Sequence, residues 1–298
     1  MRQMDLSIAI VSWNTRRLLD ECLESIFETT HGIEFEVIVV DNASSDGSAE
    51  MVRGKYPQVR LIENANNVGF AAANNQAYAV TESEFFMLLN PDTIALSSFG
   101  PIVRFMRENQ DTGVVGCKSL NPDGSIQPSW YDYYPCFQWE LLSARGRGLL
   151  VRMLFHRDPG SSFDTRWVGG QCLTVRRRCA SEVGLMDEGY FMYNEETDWC
   201  YRIRRAGWRI VYRPDVEIVH LGGQSTKQAS AKMLVELFRS KTRFMRIHYS
   251  RMHVVLFKWA LRLRTGALTT WMRVCSPGGS DDPRIRALTQ LSREIRFF

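Results

Sequence analysis

The sequence predicts an α/β fold in which helices cover both faces of a mostly parallel sheet. Between residues 1 and 117, short and nearly continuous apolar runs alternate with segments whose apolar residues recur at helical spacing. Such runs are typical of strands buried on both faces, and strand–helix alternation joins parallel strands through right-handed crossovers. The predicted strands are 6–12, 36–40, 59–62, 85–89 and 113–116.

Helices are predicted between these strands. The first follows strand 6–12, where six apolar residues lie at helical spacing. They are Leu18, Leu19, Cys22, Leu23, Ile26 and Phe27. A second helix is predicted over 47–55, with Ser45 or Asp46 as its N-cap, because Ser and Asp side chains accept hydrogen bonds from exposed backbone N–H groups.

The pattern changes after residue 117. Residues 118–165 are rich in Pro, Gly, Arg and aromatic residues, and we predict loops and one short helix over the edge of the sheet. Regular structure is then predicted at 167–175, in a helix near 195–206, and in extended segments at 208–213 and 215–220.

From about residue 227 the pattern is helical and strongly basic. We therefore predict one domain at 1–226, with halves at 1–117 and 118–226. A basic, amphipathic helical C-terminal region is predicted at 227–298.

Composition excludes several classes of protein. The 298 residues are 45% hydrophobic, and the net charge of +4 is too small to indicate a nucleic-acid binder. The seven cysteines include no C-x-x-C pair, which argues against a zinc site or a disulfide framework. The N-terminus leaves no room for a signal peptide, and no run of about 18 apolar residues predicts a membrane span. We therefore expect a cytoplasmic protein, whose place of membrane association would be the inner face of the plasma membrane.

Polar residues follow four of the predicted strands at their carboxyl ends. In open parallel sheets ligands bind at those ends. Each residue alone is explained equally well by a turn, because Asp, Asn and Ser favour turns, but four polar ends at one edge favour a binding site. The candidates are Ser12 and Asn14 after the first strand, Asp41 after the second, Asn67 after the third, and Asn90 with Asp92 after the fourth.

The sequence lacks the glycine-rich motifs that hold nucleotide phosphates on a helix N-terminus. Neither G-x-G-x-x-G after the first strand nor G-x-x-x-x-G-K-[ST] occurs. If a nucleotide binds, a cation must neutralise its phosphates. Asp92 is suited to hold that cation, since Mg²⁺ and Mn²⁺ prefer a few hard oxygen ligands together with substrate phosphates.

Several motifs in order resemble those of family 2 glycosyltransferases with the GT-A fold. They are "VSWN", "VVDNASSDGS", "NVGFAAANNQA", "LLNPD", "GYFMYNEETDWCYRIRRAGW" and "VHLGG", over roughly residues 5–250. Within that family, the motifs are similar to those of rhamnosyltransferases that build bacterial surface polysaccharides. The resemblance implies a GT-A catalytic domain, with a nucleotide-binding half before residue 117 and an acceptor-side half after it. It also implies an inverting transfer from a nucleotide-sugar to a glycan or lipid-linked glycan.

The resemblance assigns roles to the residues at the strand ends. It implies that Asp41 accepts a hydrogen bond from the N3–H of uracil or thymine, and that Ser12 and Asn14 line the nucleotide pocket. Asn90 and Asp92 occupy the D-x-D place of the family, with Asp92 as a metal ligand, and His220 completes the metal or diphosphate site. This sequence departs from the family by carrying Asn at the first position of that motif.

An acidic cluster follows near residue 195. Glu195, Glu196 and Asp198 are explained either by a helix N-terminus, whose dipole favours acids, or by a general base. Direct displacement at an anomeric carbon needs a carboxylate that takes the proton of the acceptor hydroxyl. The family pattern is Glu-Asp-x-Asp, and Glu196 occupies the place of its base. We predict Glu196 as the base, Asp198 as the second candidate and Glu195 as a supporting residue.

Three further residues are candidates for contact with the donor sugar or the acceptor. Gly169 and Gly170 predict a close approach of the backbone, although a glycine bulge in an edge strand explains them equally well. Trp130 is placed to stack on a sugar ring or to pack locally.

The region 227–264 contains ten Lys or Arg and one acid, interleaved with apolar and aromatic residues. Basic amphipathic helices of this kind bind in a membrane interface, and the alternative is a helix packed on the catalytic domain. No nucleic-acid-binding motif accompanies the charge. We predict peripheral membrane contact.

Two other functions stay open. A sugar nucleotidyltransferase would carry a glycine-rich loop after the first strand, and "VSWNTRRLLD" has no glycine. A non-catalytic sugar-nucleotide-binding protein is suggested by the departures at Asn90 and Glu196. For the donor the resemblance suggests dTDP-rhamnose or a UDP-sugar, and a GDP-sugar stays open.

Overall fold

The computed structural model describes residues 4–138, 157–222, 230–275, 283–295 and 297. Close backbone contacts divide the chain into two compact units. The first comprises residues 1–132, 158–191 and 195–225, and the second comprises 133–157, 192–194 and 226–298. The predicted domain boundary at residue 226 stays a prediction.

The first unit is built on one sheet, whose ten strands in the described residues confirm the predicted α/β class. Along the sheet the order is β3-β2-β1-β4-β11-β6-β12-β5, with β7 beside β6 and β9 beside β12. The strands are β1 Leu6–Ser12, β2 Phe35–Asp41, β3 Arg60–Glu63, β4 Phe85–Leu89, β5 Thr93–Ala95, β6 Thr112–Leu120, β7 Ile126–Gln127, β9 Phe163–Asp164, β11 Cys172–Arg176 and β12 Arg209–His220. A separate antiparallel pair joins β8 Trp130–Tyr131 to β10 Trp167–Val168.

Strands β1 to β4 are parallel to one another, as predicted. In the register of the sheet Ser12 lies opposite Asp41, and Ile10 lies opposite Leu89. The carboxyl ends of β1, β2 and β4 therefore lie side by side at one edge of the sheet.

Residues after 116 form more regular structure than the sequence indicated. Strand β11 is antiparallel to both β4 and β6, and β12 is parallel to β6. The two predicted segments at 208–213 and 215–220 form the single strand β12. Its register shifts between Arg213 and Glu217, around Pro214, because proline lacks the N–H that a strand interior needs.

The predicted loop at 118–165 contains the end of β6 and the short strands β7, β8 and β9. Strands of two residues have too few positions for alternation to be detected in a sequence. Residues 139–156 of this stretch lie outside the described residues, so the short helix predicted within 118–165 stays a prediction.

Helices cover both faces of the sheet. Alternate residues of β1 enter two cores: Ile8 and Ile10 pack with α1, α2 and α4, while Ala9 and Val11 pack with α3, α5 and α6. Burying one such aliphatic side chain contributes about 1.5–3 kcal/mol. The helices are α1 Arg16–Thr29, α2 Ser48–Lys55, α3 Phe70–Ala79, α4 Gly100–Glu108, α5 Arg177–Val183 and α6 Glu195–Arg205.

Three long helices make up most of the described part of the second unit. Its helices are α7 Ser230–His248, α8 Arg251–Cys275 and α9 Pro283–Glu294. Apolar side chains from all three pack together, among them Phe238, Phe257 and Leu291. An ion pair joins Arg239 on α7 to Glu294 on α9 at 3.0 Å.

Candidate active site

The adjacent ends of β1 and β2 form the first part of the site. Asp41 is 3% exposed, and its Oδ1 accepts a hydrogen bond from the Ser44 N–H at 2.8 Å. Ser44 Oγ in turn accepts from the Asn14 N–H at 2.9 Å. Asn14 adopts a left-handed φ of 52°, which Asn tolerates better than most residues. One serine therefore links the two predicted nucleotide residues.

The other oxygen of Asp41 has no such partner. Oδ2 is buried, and no described residue donates a hydrogen bond to it. An unpaired buried acceptor costs roughly 1–3 kcal/mol, so this carboxylate is ready to accept an N–H from a ligand.

Two other predicted nucleotide residues use their side chains within the protein. The Ser12 hydroxyl is buried and pairs with the Thr15 hydroxyl at 2.9 Å. Asn67 Oδ1 accepts from the Gly69 N–H at 3.0 Å. A Cβ on Gly69 would lie 2.5 Å from the Phe191 carbonyl oxygen, so this turn requires glycine. Both side chains shape the loops around the site.

Asn90, Asp92 and His220 are brought together by strand pairing. His220 lies opposite Thr93 in the antiparallel β5–β12 ladder, and the Leu221 N–H donates to the Asp92 carbonyl at 2.9 Å. His220 Nε2 lies 3.3 Å from Asp92 Oδ1 and 3.2 Å from Asn90 Nδ2. The side chains of Asp92 and His220 are 8% and 14% exposed.

Asp92 and His220 fit a divalent cation that takes most of its ligands from a substrate. The described residues contain no group of three or more His, Cys, Asp or Glu side chains that could hold a metal ion. Asp92 and His220 instead offer one carboxylate oxygen and one imidazole nitrogen, and the Asn90 amide is neutral. Mg²⁺ and Mn²⁺ bound with nucleotide phosphates often use only one or two protein ligands.

Sequence reasoning did not single out Gln127. Its Oε1 lies 2.7 Å from His220 Nδ1, and its Nε2 donates to the His220 carbonyl at 3.1 Å. The residue lies in the two-residue strand β7, within a segment that was predicted as loop. Its position beside His220 exists only once β6, β7 and β12 are assembled.

The acidic cluster lies on the first turn of α6, and its three acids differ in environment. Glu196 Oε2 is buried, and no described residue donates a hydrogen bond to it. Burial raises the pKa of Glu196 to about 7, although the backbone N–H groups of Glu196 and Thr197 partly oppose that rise. A carboxylate with this pKa exchanges a proton near neutral pH.

Asp198 is held in an ion pair. Its Oδ2 accepts from Arg202 Nε at 2.8 Å, and its side chain is only 2% exposed. Arg202 also donates to the carbonyl oxygens of Val183 and Leu185. Glu195 is 5% exposed. Asp198 thus anchors α6, whereas Glu196 Oε2 accepts no hydrogen bond from a described residue.

Gly170 connects the acidic cluster to the end of β4. A Cβ on Gly170 would lie 3.5 Å from the Phe70 ring and 3.9 Å from Glu196 Cβ. The next residue, Gln171, accepts the Asn90 N–H through its carbonyl at 3.1 Å. Glu196 therefore lies at the same edge of the sheet as Asn90, and the lack of a side chain at Gly170 leaves space there.

Gly169 and Trp130, the other two candidates for contact with a sugar, make contacts within the protein. The Gly169 N–H donates to the Ser129 carbonyl at 3.0 Å, which secures the loop before β11. The Trp130 ring packs against Tyr212 and Phe163 at centroid distances of 4.5 and 5.5 Å. These contacts account for Trp130 by local packing.

Comparison with known proteins identifies the family. The family model described as "Glycosyl transferase family 2" matches residues 7–161. The N-acetylglucosaminyl-diphospho-decaprenol L-rhamnosyltransferase of Mycobacterium tuberculosis is 27% identical over 280 residues, which cover 86% of this chain and 89% of that protein. The low-salt glycan biosynthesis hexosyltransferase Agl10 of Haloferax volcanii is 25% identical over 224 residues, covering 72% and 67%.

Solved structures share the fold. The mannosyltransferase PcManGT from Pyrobaculum calidifontis, solved with GDP-Man and Mn²⁺, superposes with a TM-score of 0.59 at 15% identity, covering 100% of this chain and 82% of that one. S. aureus TarS superposes with a TM-score of 0.54 at 14% identity, covering 99% and 92%. The family match spans more than half of this chain, so the protein belongs to glycosyl transferase family 2 and is a glycosyltransferase with a GT-A-like fold.

Proposed function

We propose that the protein transfers a sugar, with inversion, from a nucleoside diphosphate sugar to a lipid-linked glycan. One observation carries this proposal. Three kinds of group lie at one end of the same sheet. They are Asp41 with its unpaired buried oxygen, the Asp92–His220 pair, and Glu196 with its raised pKa. A pyrimidine base, a diphosphate and an acceptor hydroxyl need those three kinds of group.

The donor is proposed to carry uracil or thymine. The imide N3–H of either base is a donor that matches the unpaired Oδ2 of Asp41. The mycobacterial relative is named as an L-rhamnosyltransferase, which supports dTDP-rhamnose ahead of a UDP-sugar.

Asp92 and His220 would hold a divalent cation, with Asn90 as a neutral neighbour. Two solved structures of the fold, PcManGT and GalNAc-T7, contain Mn²⁺. When bound, Mg²⁺ or Mn²⁺ neutralises charge that develops on the leaving diphosphate. Asp92 and His220 orient the diphosphate for departure.

Glu196 is proposed as the general base. The acceptor oxygen forms a bond to the anomeric carbon as the bond from that carbon to the phosphate oxygen breaks. Glu196 takes the hydroxyl proton, and the nucleoside diphosphate leaves with the electron pair of the broken bond. A pKa of about 7 suits this role, because a base works best when its pKa is near the operating pH.

A nucleotide panel tests donor and cation together. Thermal unfolding is measured with dTDP-, UDP- and GDP-sugars, each with and without Mn²⁺. Because a ligand that binds only the folded state stabilises it by mass action, we expect the melting temperature to rise for a pyrimidine nucleotide with Mn²⁺. The proposed donor would be refuted if only GDP-sugars raised the melting temperature, or if none of the nucleotide sugars raised it.

A non-catalytic sugar-nucleotide-binding protein is a second candidate. It would be a member of the family that has lost turnover, and Asn90 in place of the family's acid is the feature that favours it. Two assays distinguish the transferase from the binding protein: turnover of the donor in the presence of acceptor, and slow hydrolysis of the donor in its absence. A binding protein shows neither activity.

Glu196 should make the stability of the protein depend on pH. Its folded pKa of about 7 lies above the ordinary value of 4.5, so between these values the folded state binds more protons. The free energy of unfolding therefore falls as pH rises from about 4.5 to about 7. Glu196→Gln removes this dependence. We expect the variant to gain roughly 1–3 kcal/mol relative to wild type between pH 5 and pH 8.

Urea unfolding of both proteins at several pH values measures this difference. Glu188→Gln, at an exposed acid in the preceding loop, is the matched control and should show none. Parallel curves for wild type and Glu196→Gln would contradict the raised pKa.

Membrane contact is proposed for the outer face of α8 in the second unit. This face carries an apolar stripe with basic residues at its sides, and α8 contains no acid. The stripe is Met252, Val255, Trp259 and Leu263, exposed by 66, 61, 55 and 49%. The basic residues beside it are Arg251, Lys258 and Arg262.

Anionic lipid suits this surface better than a second protein. Burial and the charges of Arg246 and Arg262 lower the pKa of Lys258, and anionic headgroups would relieve that crowding. Among the described residues, no helix has the length and apolarity needed to cross a bilayer. A helix that is amphipathic and basic lies in the plane of the interface.

Replacing Trp259 and Leu263 together with Gln should lower binding to anionic liposomes by about tenfold or more, because their apolar area no longer enters the bilayer. Flotation at low salt measures it. Leu96→Gln, at a residue of the first unit with 48% exposure, is the control. Equal flotation of all three proteins would contradict the proposal.

A further inference from the structure

A chain of side-chain hydrogen bonds leads from the β6–β7 turn to His220. Gln127 is its central member. Its Nε2 donates to Asn121 Oδ1 at 3.0 Å and to the His220 carbonyl oxygen at 3.1 Å. Both partners are acceptors, so the nitrogen of the amide must face them and Oε1 must face away. The orientation of the Gln127 amide therefore follows from its neighbours.

That orientation decides which nitrogen of His220 carries the proton. Nδ1 lies 2.7 Å from Gln127 Oε1, which can only accept. Nδ1 must therefore be the protonated nitrogen, and in the neutral ring the lone pair is on Nε2. Nε2 accepts from Asn90 Nδ2 at 3.2 Å and faces Asp92 Oδ1 at 3.3 Å.

We propose that Gln127 is a positioning residue that holds His220 as the Nδ1–H tautomer and keeps its Nε2 lone pair available beside Asp92. The value of that lone pair to a cation or diphosphate rests on the proposed function, whereas the tautomer does not. With the proton on Nε2 instead, the ring would donate to Asp92 Oδ1. In that tautomer Nε2 and Asp92 Oδ1 would be hydrogen-bonded to each other, and the Nε2 lone pair would not be available to a ligand.

The turn before β7 holds Gln127 in place. Asn121 Nδ2 donates to Ser125 Oγ at 2.9 Å, and Ser125 Oγ donates to Asp123 Oδ1 at 2.6 Å. Hydrogen bonds from Ser125 keep the pKa of Asp123 below its ordinary value. Every donor in the series from His220 to Asp123 points toward that carboxylate. The charge of Asp123 thus favours one direction of the whole series, and with it one tautomer of His220.

Imidazole ¹⁵N NMR of the full-length protein reads the tautomer directly. The chain has five histidines, so His220→Asn identifies the signal by its loss. In the neutral ring of His220 we expect Nδ1 to be protonated and Nε2 unprotonated, because Nδ1 faces the acceptor Gln127 Oε1. In Gln127→Met, which keeps the side-chain length but removes the acceptor, the Nε2–H tautomer should become the major one. Gln127→Glu, which restores an acceptor, should return the Nδ1–H tautomer.

A second readout follows the consequence at the site. The affinity for Mn²⁺ in the presence of dTDP, measured by electron paramagnetic resonance, should fall about 10- to 100-fold in Gln127→Met, the usual loss for an outer-shell partner. Gln127→Glu should recover most of it. Gln290→Met, at an exposed glutamine of α9, is the control for the substitution and should leave both readouts unchanged.

The outcomes are distinguishable. An Nε2–H tautomer in wild type, or an unchanged tautomer in a folded Gln127→Met, overturns the proposal. If the tautomer changes as expected but wild type binds no Mn²⁺, the positioning by Gln127 stands and the proposed cation site fails.

Discussion

Replacing Glu196 with Gln should lower turnover by roughly 10²- to 10⁴-fold and leave donor affinity intact, the range expected when a general base is lost. The amide has nearly the same volume but cannot take the proton of the acceptor hydroxyl. The carboxylate is favoured for this role because its Oε2 is buried without a hydrogen-bond donor and its pKa is about 7. Steady-state turnover with saturating donor and acceptor measures the loss, and donor binding is measured separately by calorimetry.

Asp198 provides the comparison that separates chemistry from structure. Its carboxylate is buried and paired with Arg202 at 2.8 Å, and breaking a buried pair costs several kcal/mol. Asp198→Ala should therefore destabilise the fold, whereas Glu196→Gln should not. Glu188→Gln should behave as wild type in both assays. Near-normal turnover of Glu196→Gln would remove this residue from the role of base.

Replacing Asp92 with Asn should abolish the stabilisation that Mn²⁺ gives to the donor complex and lower turnover by about 10²- to 10³-fold. The physical reason is the loss of the negatively charged ligand in a site with only one carboxylate. Electrostatic stabilisation of a leaving diphosphate is worth several kcal/mol, and each 1.36 kcal/mol changes the rate tenfold. Thermal unfolding with dTDP-sugar, with and without Mn²⁺, measures the first effect.

The matched control for this variant is Asp215→Asn, at an exposed aspartate in β12, which should keep the Mn²⁺-dependent stabilisation. Variant and wild type should melt at similar temperatures without ligand, because Asn has nearly the same shape as Asp and can keep the 3.3 Å contact with His220 Nε2. Full retention of Mn²⁺-dependent donor binding in Asp92→Asn would show that the cation, if used, is held elsewhere.

The strands before residue 117 were predictable because their burial on both faces leaves nearly continuous apolar runs. Predicted and observed bounds agree closely at β1 and β4. The region after residue 117 was less predictable. Strands β7, β8 and β9 have two residues each, and no periodicity can be read from two positions.

The acids of α6 show how far sequence reasoning reached at the site. Position in the family pattern favoured Glu196 over Asp198. The structure adds the physical difference between them, because Arg202 lies one helical turn from Asp198 and pairs with it. Both residues also lie on the first turn of a helix, where the dipole favours acids. A role at the helix N-terminus and a role as general base are therefore compatible.

The sequence by itself determined the α/β class, the polar carboxyl ends of the strands, and the family of this protein. Those properties are local, since apolar runs and turn residues depend on neighbours along the chain. Only the tertiary structure decided that His220 lies beside Asp92, that Gln127 lies against His220, and that Glu196 lies beside Gly170. These pairs are distant in sequence. The pairing of β12 with β5, of β6 with both β7 and β12, and of β11 with β4 brings their strands together.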